Sequence, residues 1–296
     1  MPQATYTRVL ASILVAGAAT LSAQSYVPQR VFDSTALQFS DFESMVAAVA
    51  KADVVFVGEQ HDDPNTHRLE RALLEALARR RGDVVLSLEM FERDVQDRLD
   101  QFRSGTLPET DFLASSRPWP RYATDYKALV DLAVERQWPV IAANIPRPMA
   151  SEISKAGLDI LKGKSDTEKA WFAREWQCPT DDEYYRRFKE VMGTHAGAAE
   201  IERFYAAQCL KDETMAESIA RGWSAAAAQK PGTRPLVVHY NGSFHSDYGL
   251  GTASRVRRRM PDARTVVVTM IPVANLDTIA TADHLRKGDF LVFTVK

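Results

Sequence analysis

The chain has 296 residues, of which 45% are hydrophobic and 26% are charged, and its formal net charge is −2. This composition is ordinary for a globular protein with a sizeable core and excludes a largely disordered chain. The largest basic clusters are the arginine triplets at residues 79–81 and 257–259, and each closes a predicted helix, where the helix dipole favours cations. We therefore expect neither a nucleic-acid partner nor an anionic membrane surface.

Residues 1–23 have the pattern of a secretory signal peptide. Arg8 is the only charge in this segment, residues 9–19 are almost wholly apolar or small, and Ala23 ends it. The apolar run of about 11–14 residues is shorter than the ~20 that a membrane-spanning helix needs, so an uncleaved anchor is the weaker alternative. No cysteine that could carry a lipid follows the run. We expect a periplasmic or secreted mature protein that begins near Gln24 and has no transmembrane segment.

A strand-helix alternation begins at residue 52. A helix is predicted from Pro64, with Asp63 as its cap, and a further helix face carries Val95, Leu99 and Phe102. Because the strands are apolar on both faces and separated by helices, we predict an α/β fold with a mostly parallel sheet and flanking helices, in one domain over residues 24–296. The predicted strands are residues 54–57, 84–88, 139–143, 236–238, 265–270 and a last, edge strand at 290–295, and the other predicted helices are 122–136 and about 252–259.

The interval of about 150–230 breaks this alternation and contains only helical runs, which predicts a helical cap insertion over the sheet. Nine of the 27 aromatic residues fall between Trp171 and Trp223. They are expected to form an apolar wall for a ligand or, alternatively, to pack the insertion against the body. Cys178 and Cys209 also lie here, in a compartment where disulfides persist, so we expect them to be bonded; two buried thiols are the alternative. The predicted helices are 169–176, 183–192, 198–209 and 212–229.

Ionisable side chains follow several of the predicted strands. Ligands of a parallel sheet gather outside the carboxyl ends of its strands, and an ionised group beside a buried strand is costly unless it is paired or liganded. We therefore predict a common site there. Its alternatives are residue by residue: Glu59 as a helix cap, His61 as a surface residue, Glu89 as the ion-pair partner of Arg147, and His239 as a hydrogen-bonded core histidine. The predicted site residues are Glu59, His61, Glu89 and His245.

Glutamate and histidine together can coordinate a divalent metal that activates water, or can act as a base and its orienting acid. The residue types fit zinc, manganese and iron about equally. Glu59 and His61 are two apart in a turn, so they form no helical H-E-x-x-H zinc motif. In a hydrolase of this kind Arg147 would hold an anionic intermediate. A nucleotide ligand is disfavoured, because no glycine-rich phosphate loop follows the first strand.

Two G-x-x-H motifs stand at corresponding strand ends, GEQH at 58–61 and GSFH at 242–245, with Glu89 between them in SLEMF. With WPVIAANIPR at 138–147 and KDETMA at 211–216, this set resembles the ChaN-like haem-binding family of bacterial exported proteins, which is grouped with the Tiki and erythromycin-esterase-like proteins. The resemblance spans about residues 52–272, and the pair of motifs is considerably more specific than either motif alone.

The resemblance implies a ChaN-like α/β fold with a helical cap, and a role in haem or iron acquisition. It also implies haem held between two subunits of a homodimer by a tyrosine ligand, for which Tyr248 is the first candidate, followed by Tyr122 and His195. Tiki-like relatives are metal-dependent proteases, so a protease or esterase that uses the paired histidines and a glutamate is the alternative function. The best-known ChaN-like members are lipoproteins, and the missing lipid-bearing cysteine puts membrane tethering in doubt.

Overall fold

A computed structural model of the protein describes residues 26–193 and 197–296. Eight strands form one sheet in the order β2-β1-β8-β7-β3-β6-β4-β5. The strands are β1 (Gln29–Asp33), β2 (Gln38–Ser40), β3 (Val54–Glu59), β4 (Val84–Glu92), β5 (Val140–Asn144), β6 (Leu236–Gly242), β7 (Thr265–Val273) and β8 (Phe290–Val295).

The six strands from β3 to β8 are parallel, which confirms the predicted α/β fold with a mostly parallel sheet. The prediction that β8 is an edge strand is wrong. The short strand β1 pairs with it antiparallel, so that Val31 lies opposite Val292, and β2 extends the sheet beyond β1. The two additional strands were not predicted because their sequences, QRVFD and QFS, contain no continuous apolar run and precede the strand-helix alternation.

Eleven helices are present in the described residues. Helix α2 begins at Pro64, and the side chain of Asp63 accepts a hydrogen bond from the Asn65 amide, as the cap prediction requires. The helices are α1 (Phe42–Val49), α2 (Pro64–Ala78), α3 (Gln96–Arg103), α4 (Glu109–Ser116), α5 (Tyr122–Asp125), α6 (Lys127–Glu135), α7 (Arg147–Ala156), α8 (Asp166–Lys169), α9 (Glu183–Met192), α10 (Ala198–Gln229) and α11 (Gly251–Arg259).

The central strands are buried on both faces because alternate side chains enter two different cores. On β3, Val55 and Val57 pack in the larger core, together with Leu73 of α2. Val54 and Phe56 point to the opposite face and share a second core with residues of α10 and α11. The sheet is therefore the middle layer between two layers of helices.

The segment predicted as a cap differs in detail from its prediction. The two helices expected at 198–209 and 212–229 are one helix, α10, because no glycine or proline interrupts the chain between them. The helix expected at 169–176 is wrong, since α8 ends at Lys169 and turns follow it. Met215 and Ile219 of α10 lie in the second core against the sheet. Cys178 and Cys209 form a disulfide bond, as predicted.

No helix within the described ranges is long and apolar enough to cross a bilayer. The predicted signal peptide at residues 1–23 lies outside the described residues, so it stays a prediction.

Candidate functional site

Glu59 ends β3 as a buried carboxylate with several partners. Its Oε1 contacts Nδ1 of His61 at short range and accepts a hydrogen bond of 2.7 Å from the Tyr126 hydroxyl. Burial by itself would raise the pKa of Glu59, but hydrogen bonds with His61 and His67 outweigh it and hold the pKa at about 2. Burial would lower the pKa of His61, but the hydrogen bond with Glu59 outweighs burial and raises it. Glu59 and His61 therefore form a charged pair at the strand end.

Helix α2 adds two buried residues beside this pair. Nδ1 of His67 lies 3.1 Å from Oε2 of Glu70 and 3.3 Å from Oε2 of Glu59. Burial would lower the pKa of His67, yet the two carboxyl groups raise it to about 10. Burial, together with the neighbouring Glu59, raises the pKa of Glu70. Within the part of the chain that the structure describes, Glu59, His67 and Glu70 offer ligand atoms that all lie within 4.8 Å of one another.

A second buried cluster lies where β4 and β6 end. Oε1 of Glu89 is 3.3 Å from Nε2 of His245, whose Nδ1 lies 2.7 Å from Oδ1 of Asp212 on α10. Asp212 also accepts hydrogen bonds of 2.6 Å from the Tyr184 hydroxyl and 2.7 Å from the Thr252 hydroxyl. Burial would lower the pKa of His245, but the two carboxylates outweigh it and raise the pKa to about 10. His245 is therefore an imidazolium held between two carboxylates.

Gly242 joins the two clusters. Its amide donates a hydrogen bond of 2.8 Å to Oε2 of Glu89, while a Cβ at this position would lie only 2.6 Å from Nε2 of His61. His61 and Glu89 thus approach the same glycine, and their charges influence each other's pKa. The four residues predicted to form a common site, Glu59, His61, Glu89 and His245, lie around one strand end.

These four residues do not fit a shared metal ion in this arrangement. Nδ1 of His61 faces Glu59, and the ring nitrogens of His245 face Glu89 and Asp212, so the two imidazoles are directed at different carboxylates. Among the described residues, the set with convergent ligand atoms contains Glu59 but not His61, Glu89 or His245. The geometry therefore gives no support to the hydrolase alternative, and we derive no catalytic step from it.

Arg147 begins α7 and forms its ion pair with Glu92, at 2.5 Å between Nε and Oε1. The alternative interpretation, in which Glu89 is its partner, is wrong by three positions along β4. Nη2 of Arg147 also donates to the carbonyl of Arg117, and Arg117 itself pairs with Glu92. The contacts of Arg147 therefore fasten β4 to α7.

Tyr122 and His239 are both buried, and each has neighbours of its own. Tyr122 is buried, with its ring 5.7 Å from Phe91 and 6.4 Å from Phe112 between centroids. His239 is a buried core histidine that pairs with the Ser87 hydroxyl at 2.9 Å, and burial lowers its pKa to about 3. His195 lies outside the described residues, so its role as a ligand stays a prediction.

Tyr248 is half-buried on the turn after β6, with a left-handed φ of 62°. Cζ of Arg187, on α9 of the cap, lies 3.5 Å from the centroid of its ring. The tyrosine lines a surface cleft of about 320 Å³ together with Arg257 and Arg286. The ring of Tyr248 therefore lies near the guanidinium groups of three arginines on this surface.

Sequence reasoning missed the partners that helices supply to the site. Asp212 lies in KDETMA, a stretch that carried the family resemblance but was given no role. His67 and Glu70 are three residues apart on α2, a spacing that puts them on one helix face. These two signals single out Asp212, His67 and Glu70, but neither signal shows that the residues are buried beside the strand ends.

Comparison with known proteins gives one family and one close fold. A family model described as haem-binding uptake, Tiki superfamily, ChaN matches residues 45–256. The solved structure of ChaN of Campylobacter jejuni, described as cofacial heme binding, is 18% identical and superposes with a TM-score of 0.65, covering 90% of this chain and 97% of that one. The type III effector HopBA1 is 11% identical at a TM-score of 0.43, covering 86% and 92%. Curated protein sequences give no match. Because the family model covers most of its length, the chain belongs to the ChaN family of the Tiki superfamily.

Proposed function

We propose that this protein is exported, binds haem and serves in haem or iron acquisition. The observation that carries the proposal is the match of residues 45–256 to a family described by haem-binding uptake. That range includes both G-x-x-H motifs, Glu89 and Tyr248. The motifs that carried the sequence resemblance are thus contained in the matched region.

The surroundings of Tyr248 suit a haem ligand. A tyrosine oxygen is one of the protein groups that hold haem iron. The guanidinium group of Arg187 lies 3.5 Å from the centroid of this tyrosine ring and helps to orient it. Arg257 and Arg286 line the same cleft, where guanidinium groups can pair with the two haem propionates. The donor set is consistent with haem, and Tyr248 is our proposed axial ligand.

The size of this cleft favours haem shared between two subunits. At about 320 Å³ it is at the low end of the ~300–1,000 Å³ of small-molecule sites, so it would leave much of a haem uncovered. A second copy of the chain would cover the remaining face. We therefore infer a homodimer that forms or tightens when haem binds.

An absorption titration of the purified mature protein with haemin tests the proposal. We expect a new Soret band that saturates at no more than one haem per chain, together with a shift to the dimer mass in sedimentation. A band that rises in proportion to haemin without saturation would reject haem binding. A saturable band without a dimer would reject the shared site alone.

Export is tested by the mass of the protein recovered from the periplasm or the medium. We expect a mature chain that begins near Gln24, because Ala23 ends the only charged and then apolar segment of the sequence. An intact Met1 on the recovered protein would exclude a cleaved signal peptide.

A further inference from the structure

Three carboxyl groups lie beside the buried side chain of His67. Those of Glu59, Glu70 and Asp125 are at most 5% exposed. Glu59 also pairs with the imidazole of His61, and Asp125 pairs with Arg121 at 2.7 Å, whereas the partner of Glu70 is the imidazole of His67 that Glu59 shares. Ionised carboxylates are costly to bury unless they are paired or coordinate a metal. A bound cation or a proton at Glu70 would therefore stabilise this pair of glutamates.

Three carboxyl oxygens in this cluster make no hydrogen bond within the described residues. They are Oε2 of Glu59, Oε1 of Glu70 and Oδ2 of Asp125, on side chains at most 5% exposed. Ion pairs reach two of them, since Oε2 of Glu59 lies 3.3 Å from Nδ1 of His67 and Oδ2 of Asp125 lies 2.7 Å from Nε of Arg121. Buried polar atoms in native proteins nearly always have partners, so Oε1 of Glu70 needs an explanation. A cation bound between Glu59 and Glu70 would satisfy it.

The imidazole of His67 is oriented as metal-binding histidines are. Its Nδ1 faces Glu59 and Glu70, while its Nε2 lies 3.4 Å from Oδ2 of Asp125 and 3.3 Å from the carbonyl oxygen of His61. Metal-bound histidines almost always donate their other ring N–H to a carboxylate or a backbone carbonyl, which fixes the tautomer. Nδ1 is thereby left as the nitrogen directed at the two glutamates.

The carboxylate of Glu59 is fixed in a similar way. Its Oε1 is engaged by the Tyr126 hydroxyl and by His61, which leaves Oε2 directed at His67. Outer hydrogen bonds of this kind orient metal-binding carboxylates. Hydrogen bonds and ion pairs with neighbouring residues therefore orient both His67 and Glu59.

We propose that Glu59, His67 and Glu70 bind one divalent transition-metal ion through two carboxylates and Nδ1 of the imidazole. One nitrogen and two oxygen ligands suit Zn²⁺ or Mn²⁺, and three protein ligands leave a position for water. Asp125, Tyr126 and His61 position the ligands. This site differs from the strand-end pair Glu89 and His245, and it does not depend on haem binding.

A surface cleft borders the proposed site. A cleft of about 510 Å³ is lined by His67 and Asp125 beside α2 and α5. Two of the arginines around this cleft are themselves paired with carboxylates, Arg71 with Glu75 and Arg121 with Asp125. These pairs reduce the positive charge around the cleft, so a small hydrated cation can approach it.

Zinc binding by the full mature chain tests the proposal. After removal of metals with a chelator, we expect isothermal titration with ZnCl₂ to give one ion per chain and Zn²⁺ to raise the Tm. Glu70→Gln keeps the shape of the side chain, so we expect it to fold, to lose affinity by more than about tenfold and to lose the rise in Tm. Glu75→Gln, a half-buried residue of the same helix that pairs with Arg71, is the matched control and should bind as the native chain does.

Two results would overturn the proposal. The first is a native chain that binds no stoichiometric Zn²⁺ and no stoichiometric Mn²⁺, in which case protons alone balance the cluster. The second is a Glu70→Gln variant that binds like the native chain, which would place the ion elsewhere. Near-UV circular dichroism verifies the fold of each variant. Haemin titration of the same samples separates this outcome from the fate of the haem proposal.

Discussion

His245 and Asp212, 33 positions apart, are joined by an ion pair of 2.7 Å between Nδ1 and Oδ1. The first lies at the end of β6 and the second on the long helix α10, so this contact fastens the predicted cap to the sheet edge. Both residues are buried, and Asp212 accepts two further hydrogen bonds from Tyr184 and Thr252. Breaking one member of such a network costs more than a surface pair, because the remaining charge is left buried.

The ion pair predicts a loss of stability at alkaline pH. The pKa of His245 is about 10 in the folded protein, compared with about 6.5 for an unfolded histidine. The folded state therefore keeps a proton that the unfolded state has lost between these values. The stabilisation is fully present below about pH 6.5 and is lost as the pH rises through about 10.

Urea unfolding at several pH values between 6 and 10 measures this effect. We expect His245→Gln to flatten the decline by up to about 1.4 kcal/mol per pH unit, the value for one proton. The chain is first treated with a chelator, so that His67, whose pKa is also about 10 without a metal, keeps its own share of the decline in the variant. His284→Gln is the control and should leave the slope unchanged. A native slope that matches that of His245→Gln would contradict the ion-pair account.

The close contact between Gly242 and His61 predicts that a larger side chain at position 242 displaces the imidazole. Its backbone angles, φ −55° and ψ 134°, are open to any residue, so Gly242→Ala acts through its Cβ, which would lie 2.6 Å from Nε2 of His61. Because the His61 side chain is 46% exposed, it can move outward and release Glu59. We expect the raised pKa of His61 to fall towards the ordinary value of about 6.5, and the free energy of unfolding to fall by about 1–3 kcal/mol, because the buried carboxylate of Glu59 loses a partner.

An NMR titration of the His61 ring proton reads this pKa directly. Gly82→Ala is the matched control, because a Cβ there would meet nothing within 4 Å. If His61 titrates in Gly242→Ala as it does in the native protein, the close contact with the glycine does not hold the imidazole in place.

The disulfide predicts a measurable share of the stability. It closes a loop with a sequence separation of 31 in the helical segment. In the chain-entropy model a loop of this length contributes about 3–4 kcal/mol. We expect the double variant Cys178→Ser, Cys209→Ser to lose about that much free energy of unfolding in urea. Thiol titration of the denatured native chain without reductant should find no free thiol; two would contradict the bond.

The sheet and the strand-end cluster could be predicted because hydrophobic runs directly precede the charged residues. Four apolar strands lead to Glu59, Glu89, Asn144 and His245, and the parallel order brings these ends to one edge of the sheet. The disulfide bond could be predicted because the chain has two cysteines and because disulfides persist outside the cytoplasm, where we expect the protein. These features depend on residues near one another in sequence or on residue type alone.

The helical partners could not be predicted in the same way. Polar residues such as His67, Glu70 and Asp212 have the pattern of a solvated helix face, because the sequence does not reveal that two layers cover them. The predicted helix at 122–136 is two helices, α5 and α6, which meet at Tyr126, whose hydroxyl donates to Glu59. The break between the two helices places Tyr126 in contact with a residue 67 positions away in sequence. The local hydrophobic pattern cannot predict such a contact.

The most direct test of haem binding through Tyr248 compares the Soret bands of three variants with the native band. We expect Tyr248→Phe to shift the band and to weaken haemin binding by more than about tenfold, since it removes the proposed axial ligand. Tyr26→Phe, on a side chain that is 80% exposed, and Glu59→Gln should both keep the native spectrum. A native spectrum in Tyr248→Phe, or a band lost only in Glu59→Gln, would contradict the account.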